Sequence, residues 1–259
     1  MNEQTQKLLT TIAENVPKVK QQGYNEGTAD GWTEFQTLLM NSGNRRVVTR
    51  LFCETDFTGK TFSPIWYPKY LGSMFYNYAG KELPSGIDCS KAEKNETSTD
   101  YSVCPVLIVG YAAYLENFPD IGIKPYKDIT QMFRGCNSLK NIEVVRVYED
   151  TTFSNTFLAC ENLLYIRFEG VIGRDISFSS CPLTVESMKS IITHLKNYTG
   201  TDSEKAYTLT LKSSCVTELE TAEFTDEDKG VLSENGIIVD ENTTWVTVID
   251  DLKWNLVSA

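Results

Sequence analysis

A short apolar phrase recurs along the middle of this chain. It places apolar residues at its first, fourth, seventh and ninth positions, and its copies begin at Leu115, Cys136 and Cys160. A phenylalanine stands three residues before both cysteines, and the same pair returns as Phe178 and Cys181. One such phrase cannot bury its own apolar face, so the pattern predicts units that stack and share a core.

A period in the twenties with constant apolar offsets is typical of a leucine-rich-repeat solenoid. We therefore predict an α/β fold in which parallel strands stack in a curved sheet. Each unit should supply one strand, at 120–124, 141–147 and 164–169. The core positions should be almost fully buried, and they are Leu139, Ile142, Leu163 and Ile166.

The predicted leucine-rich-repeat domain covers residues 46–215. Its first unit lies around 74–89 in looser register, and the polar residues 91–100 predict an exposed insertion between units. Before the domain, residues 1–45 carry apolar helical stripes that need a partner. This N-terminal helical segment is therefore either a cap on the first unit or an attachment element. In the second case, residues 3–40 would join another copy of the chain or another protein.

After Cys181 the phrase gives way to a helical pattern. Thr184 is a good N-cap for a helix whose apolar residues recur at helical spacing. The other predicted elements are a strand at 207–211, a short helix after Thr225, and closing strands at 237–239 and 245–249. We expect residues 216–259 to form a C-terminal cap of helix and strand.

The seven cysteines include no Cys-x-x-Cys pair. Cys136, Cys160 and Cys181 occupy one slot of successive phrases, and Leu115 fills it in the first copy. A slot that accepts Leu or Cys is small and apolar, and a free Cys behaves as a small hydrophobe. We expect these thiols to be reduced and buried; a disulfide or a metal site is the alternative.

The net charge of −11 narrows the range of partners. Nucleic-acid binding needs clustered Lys and Arg, and the chain has no such cluster, so we expect no nucleic-acid partner. We expect no membrane insertion either, because no apolar run is long enough to span a bilayer. The longest run, 103–113, contains Pro and Gly and is predicted to be a buried strand. The first residues lack the basic and apolar regions of a signal peptide.

The chain offers little for catalysis. Its single histidine, His194, falls in the helix after Thr184, and no Ser or Cys stands beside it. Glycine-rich phosphate motifs, zinc-ligand spacings and calcium-loop spacings are missing from the sequence. We therefore expect a protein that is not an enzyme and that binds neither a metal nor a cofactor.

The predicted strands also define a candidate binding face. Side chains alternate along a strand, so the residues between the core positions point outward. Stacking would align them in rows on one sheet face, the usual binding surface of solenoids. The candidate residues are Asp120, Lys124, Asn141, Glu143, Tyr165, Arg167 and Glu169. Mixed charge with a tyrosine suits a protein or glycan partner; a merely solvated face is the alternative.

The Phe-x-x-Cys-x-x-Leu-x-x-Ile phrase resembles the BspA-type leucine-rich repeats of bacterial surface proteins. Residues 12–19, 23–24, 35–36 and 41–45 are similar to the opening of prophage-encoded structural or tail-associated proteins of gut Firmicutes, which also carry a helix like 183–192. The resemblance implies a virion or tail-associated component, found in the virion or the cytoplasm, with no catalytic residues. The alternative is a bacterial cell-surface adhesin that binds host protein or glycan and has a signal peptide upstream.

Overall fold

The computed structural model describes residue 52 and residues 56–68, 71–92, 107–200 and 206–259. The predictions for residues 1–45, and most of the predicted insertion at 91–100, lie outside the described residues. Across the described ranges the chain is a mixed α/β structure, which agrees with the predicted class.

Nine β-strands and four α-helices occur in the described ranges, and every strand pair is parallel. The strands are β1 (Thr61–Trp66), β2 (Ser85–Ile87), β3 (Asn117–Phe118), β4 (Tyr126–Asp128), β5 (Asn141–Thr152), β6 (Tyr165–Glu169), β7 (Ile176–Phe178), β8 (Tyr207–Leu211) and β9 (Trp254–Ser258). The helices are α1 (Val185–Thr193), α2 (Ser213–Glu220), α3 (Asp226–Glu234) and α4 (Trp245–Asp251), with a 3-10 turn at Cys89–Lys91.

The strands lie in small sheets. Strand β5 pairs with β3 and β6 through its first half and with β4 through its second half. Within this group Asn117 pairs with Asn141, and Asn141 with Tyr165, so the same sequence interval separates both pairs of neighbouring strands. Strands β7, β8 and β9 form a separate sheet, and β1 pairs with β2. The long β5 therefore pairs with different strands along its two halves.

A series of similar turns also recurs along the chain. Each turn holds two residues with a left-handed φ, four positions apart, and the pairs are Ser73/Asn77, Leu107/Tyr111, Gln131/Gly135 and Asn155/Ala159. Main-chain N–H groups of one turn donate to the next, as from Phe133 to the Thr156 carbonyl at 3.1 Å. The sequence interval is longer between the first two turns, where the Phe75 N–H donates to the Ile108 carbonyl. The additional residues fall between these two units, where the sequence predicts an insertion.

The apolar positions of the phrase form columns in the core. The rings of Phe133 and Phe157 stack with their centroids 5.8 Å apart, and those of Phe157 and Phe178 with their centroids 4.6 Å apart. The four predicted core residues are at most 3% exposed, which confirms that prediction: Leu139, Ile142, Leu163 and Ile166. Since each column is shared between units, no unit buries its apolar side chains alone.

Cys136, Cys160 and Cys181 form a second column, which we call the thiol row. All three are free and buried. Each thiol donates to a carbonyl of the preceding unit: Cys136 to Val109 at 3.0 Å, Cys160 to Phe133 at 3.1 Å and Cys181 to Phe157 at 3.7 Å. Burial raises the pKa of Cys160 to about 12 and the pKa values of the other two well above the ordinary value. The thiols are therefore protonated at neutral pH and pack as small apolar groups.

The predicted strand at 120–124 is wrong, because the first copy of the phrase begins at Ala112 and not at Leu115. The register of β3 on β5 aligns Phe118 with Ile142, so Leu115 matches Leu139. The slot of Cys136 is then filled by Ala112, which is fully buried. Strand β3 ends before Pro119, a residue that has no N–H to donate. Residues 107–113, the described part of the predicted strand 103–113, form turns instead.

Helices α1, α3 and α4 begin at side-chain caps. Thr184 and Thr225 cap α1 and α3, as predicted. The predicted strand at 245–249 is wrong, since Thr244 and Thr247 form a capping box that starts α4. Its buried residues, Trp245, Val248 and Ile249, have helical spacing. The predicted strand at 237–239 is also wrong, because that stretch has no regular structure.

Candidate binding face

The floor of the candidate face is formed by β5 and β6. Asn141 and Tyr165 are directly paired across these strands, and Tyr165 is 47% exposed. Two residues further on, the Nε of Arg167 donates to the Glu143 carbonyl at 3.4 Å. The structure therefore brings these four predicted residues together on one surface, above the buried Ile142 and Ile166.

The first predicted row is placed differently. Asp120 and Lys124 lie after the end of β3, in a segment without strand structure, and Asn117 is the residue that pairs with Asn141. Lys124 is exposed. Asp120 still contacts the face, because its main-chain N–H donates to Oε2 of Glu143 at 2.9 Å. The face thus includes Asp120 through a loop rather than through a strand.

Arg146 connects the charged residues of this face and was not predicted from the sequence. It donates through Nη1 and Nη2 to the two carboxylate oxygens of Asp120, at 2.8 and 2.6 Å, and through Nε to Glu169 at 2.8 Å. Hydrogen bonds from Arg146 hold the pKa of Asp120 below its usual range. The register shift between Ile142 and Val145 explains the omission, since strict alternation would turn Val145 outward, whereas Val145 is buried.

Helix α1 forms a wall beside this floor. A groove of about 230 Å³ runs between them, with Asn141, Glu143, Tyr165 and Arg167 on the floor and Glu186 and Ser190 on the wall. Ser187 fixes the wall in place: its hydroxyl accepts the Ile166 N–H at 3.1 Å and donates to the Leu164 carbonyl at 3.0 Å. These bonds occupy the edge of β6, where a further strand would otherwise pair.

A second groove, of about 700 Å³, lies on the other side of α1, against α3. Glu186 and Ser190 line both grooves. Across the second groove Lys189 Nζ lies 2.8 Å from Asp228 Oδ2. Burial raises the pKa of Asp228, but hydrogen bonds from Lys189 and Thr225 hold it below its usual range. The Asp228 carboxylate is therefore ionised at neutral pH, and its contact with Lys189 ties α1 to α3.

His194 lies at the edge of the second groove, with Nδ1 2.7 Å from the Ser190 carbonyl oxygen. Among the described residues, no group of three or more His, Cys, Asp or Glu side chains is arranged to hold a metal ion. The helices in the described ranges are all too short or too polar to cross a membrane.

No family model matches this chain, and no curated protein or solved structure is significantly similar to it. The resemblance to BspA-type repeats and to prophage proteins stays an expectation from the sequence.

Proposed function

We propose that this chain is a leucine-rich-repeat solenoid that acts as a non-enzymatic binding or structural protein. It would be a phage- or prophage-derived virion or tail-associated component. The solenoid is supported by the constant interval between paired positions of parallel strands and by columns of core residues that each unit shares with its neighbours. Such units present a regular surface rather than a catalytic pocket.

The observation that carries the binding role is the walled groove on the exposed face of β5 and β6. Its floor combines the half-exposed ring of Tyr165 with polar side chains, and α1 closes one side. Concave sites with a few convergent polar groups are where proteins usually hold ligands. The ion pairs of Arg146 fix part of this surface before any partner arrives, which lowers the entropy cost of binding.

A binding assay with defined probes tests the role. Labelled protein is applied to intact gut Firmicutes cells, purified cell-wall polysaccharide and immobilised host matrix proteins. A double variant, Tyr165→Ala with Arg167→Ala, is compared with Tyr114→Ala, which removes a tyrosine that is 63% exposed and outside the groove. We expect binding to bacterial cells or wall polysaccharide that only the double variant loses.

Two results would contradict this proposal. Retention limited to host matrix proteins would favour the adhesin over the virion component. Equal behaviour of the wild type and the double variant on every probe would remove the face from the function altogether.

A further inference from the structure

The groove between the floor and α1 presents polar groups that the described part of the protein leaves without partners. The amide of Asn141, the carboxylate of Glu186 and the hydroxyl of Ser190 line it, and none of them bonds to another described residue. Together they supply both donors, from the amide and the hydroxyl, and acceptors, from all three groups. A ligand that suits them must itself carry both kinds of group.

The same groove lacks an apolar anchor site. Ile142 and Ile166, its aliphatic members, are almost completely covered, and Tyr165 is the aromatic residue of the lining. Protein partners usually insert large apolar or aromatic side chains into pockets at the centre of an interface. The volume of about 230 Å³ is also smaller than the roughly 300–1,000 Å³ of sites for drug-sized ligands. These features favour a small polar unit over a protein side-chain cluster.

Charges of both signs line the groove. The charged side chains that line the groove are Glu143, Arg167 and Glu186. Arg167 is shared with Glu169, whose Oε1 lies 3.5 Å from its Nη2. An anionic ligand would meet two carboxylates, and a cationic ligand would meet the guanidinium. A neutral molecule avoids both penalties and can still accept from Arg167 and donate to Glu186.

We propose that this groove binds a neutral sugar unit of a glycan. One face of the sugar ring packs on the ring of Tyr165, and its hydroxyl groups exchange hydrogen bonds with Asn141 and Arg167 below and with Glu186 and Ser190 at the side. Each sugar hydroxyl both donates and accepts, as this lining requires. The assignment rests on the proposed binding role and specifies its ligand class.

The test uses the full chain on an array of neutral, anionic and cationic oligosaccharides, followed by calorimetry with the neutral glycan that binds best. Tyr165→Ala should weaken this binding about tenfold or more, because the ring contact is lost. Tyr165→Phe keeps the ring and should bind within about threefold of the wild type. Tyr114→Ala should bind like the wild type. Affinity should change little between about 0.1 M and 1 M salt, since no net charge is neutralised.

The outcomes separate the ligand class from the binding role. If neutral glycans fail while a matrix protein or bacterial cells bind and Tyr165→Ala abolishes that binding, the sugar assignment is overturned and the role of the face stands. Preference for charged glycans, or binding that high salt abolishes, also overturns it. If Tyr165→Ala matches the wild type on every probe, both proposals fail together.

Discussion

Replacement of Ser187 by Ala should remove the bonds that hold α1 against β6. The Ser187 hydroxyl is the acceptor for the buried Ile166 N–H at 3.1 Å, so Ser187→Ala leaves that donor unpaired. An unpaired buried donor costs about 1–3 kcal/mol. The Leu164 carbonyl is not orphaned, because it also accepts the Thr184 N–H at 3.0 Å. Ala is the better helix former by roughly 0.5 kcal/mol, which offsets part of the loss. We expect a net destabilisation of about 1–2 kcal/mol.

Urea denaturation measures this change directly, and thermal unfolding should show a decrease of about 2–4 °C per kcal/mol for a chain of this size. Ser190→Ala is the matched control, since it removes a hydroxyl from the same helix. The Ser190 hydroxyl bonds to no described residue. This variant should be neutral or slightly stabilising. Hydrogen exchange at the Ile166 amide should accelerate in Ser187→Ala alone. Equal stability of the two variants would refute the assigned role of Ser187.

Three further predictions concern other parts of the structure. The thiol row should react slowly with a thiol reagent in the native protein and completely after denaturation, and fast native labelling would contradict its burial. Because Arg146 lowers the pKa of Asp120, their pair stabilises the fold above the unfolded-state pKa of about 3.9 and is lost as pH falls through the lower folded-state value. Arg146→Met should therefore cost about 0.2–1 kcal/mol at pH 7 and flatten the loss of stability in acid, as measured by denaturation at several pH values. Gly170→Ala should destabilise the fold by more than about 1 kcal/mol, since its Cβ would clash with the Val147 carbonyl oxygen. Gly230→Ala in α3 meets open space and should stabilise the fold by about 0.5–1 kcal/mol. The melting temperatures of the two variants test both expectations.

The core columns could be predicted because the Phe, Cys, Leu and Ile positions keep their offsets. The first copy is harder to align from the sequence, because the small Ala112 fills the position of the Cys there. The larger apolar Leu115, slightly later in the chain, fits that position of the pattern as well. The run that begins at Trp245 illustrates a different limit. Its short, apolar-rich sequence suits a strand or a helix equally, and the capping box of Thr244 decides for the helix.

Only part of the candidate face could be predicted from the sequence. Five of its residues follow the alternation of β5 and β6, so their outward direction was predictable. Arg146 faces outward because a bulge changes that alternation, and nothing in the local pattern fixes where a bulge falls. The wall formed by Glu186 and Ser190 arises from tertiary packing of α1, which the spacing of apolar residues does not specify.

From Leu107 to Asn155 the turns recur at a constant interval, which defines a possible step in chain length. Left-handed turn residues, strand pairs and main-chain bonds all recur in step, as at Leu107, Gln131 and Asn155. Loss or duplication of one whole interval from this stretch would leave each remaining group facing an equivalent neighbour. A variant of this chain that is shorter or longer by one such interval should therefore keep both ends unchanged, and the exposed face would lose or gain one strand.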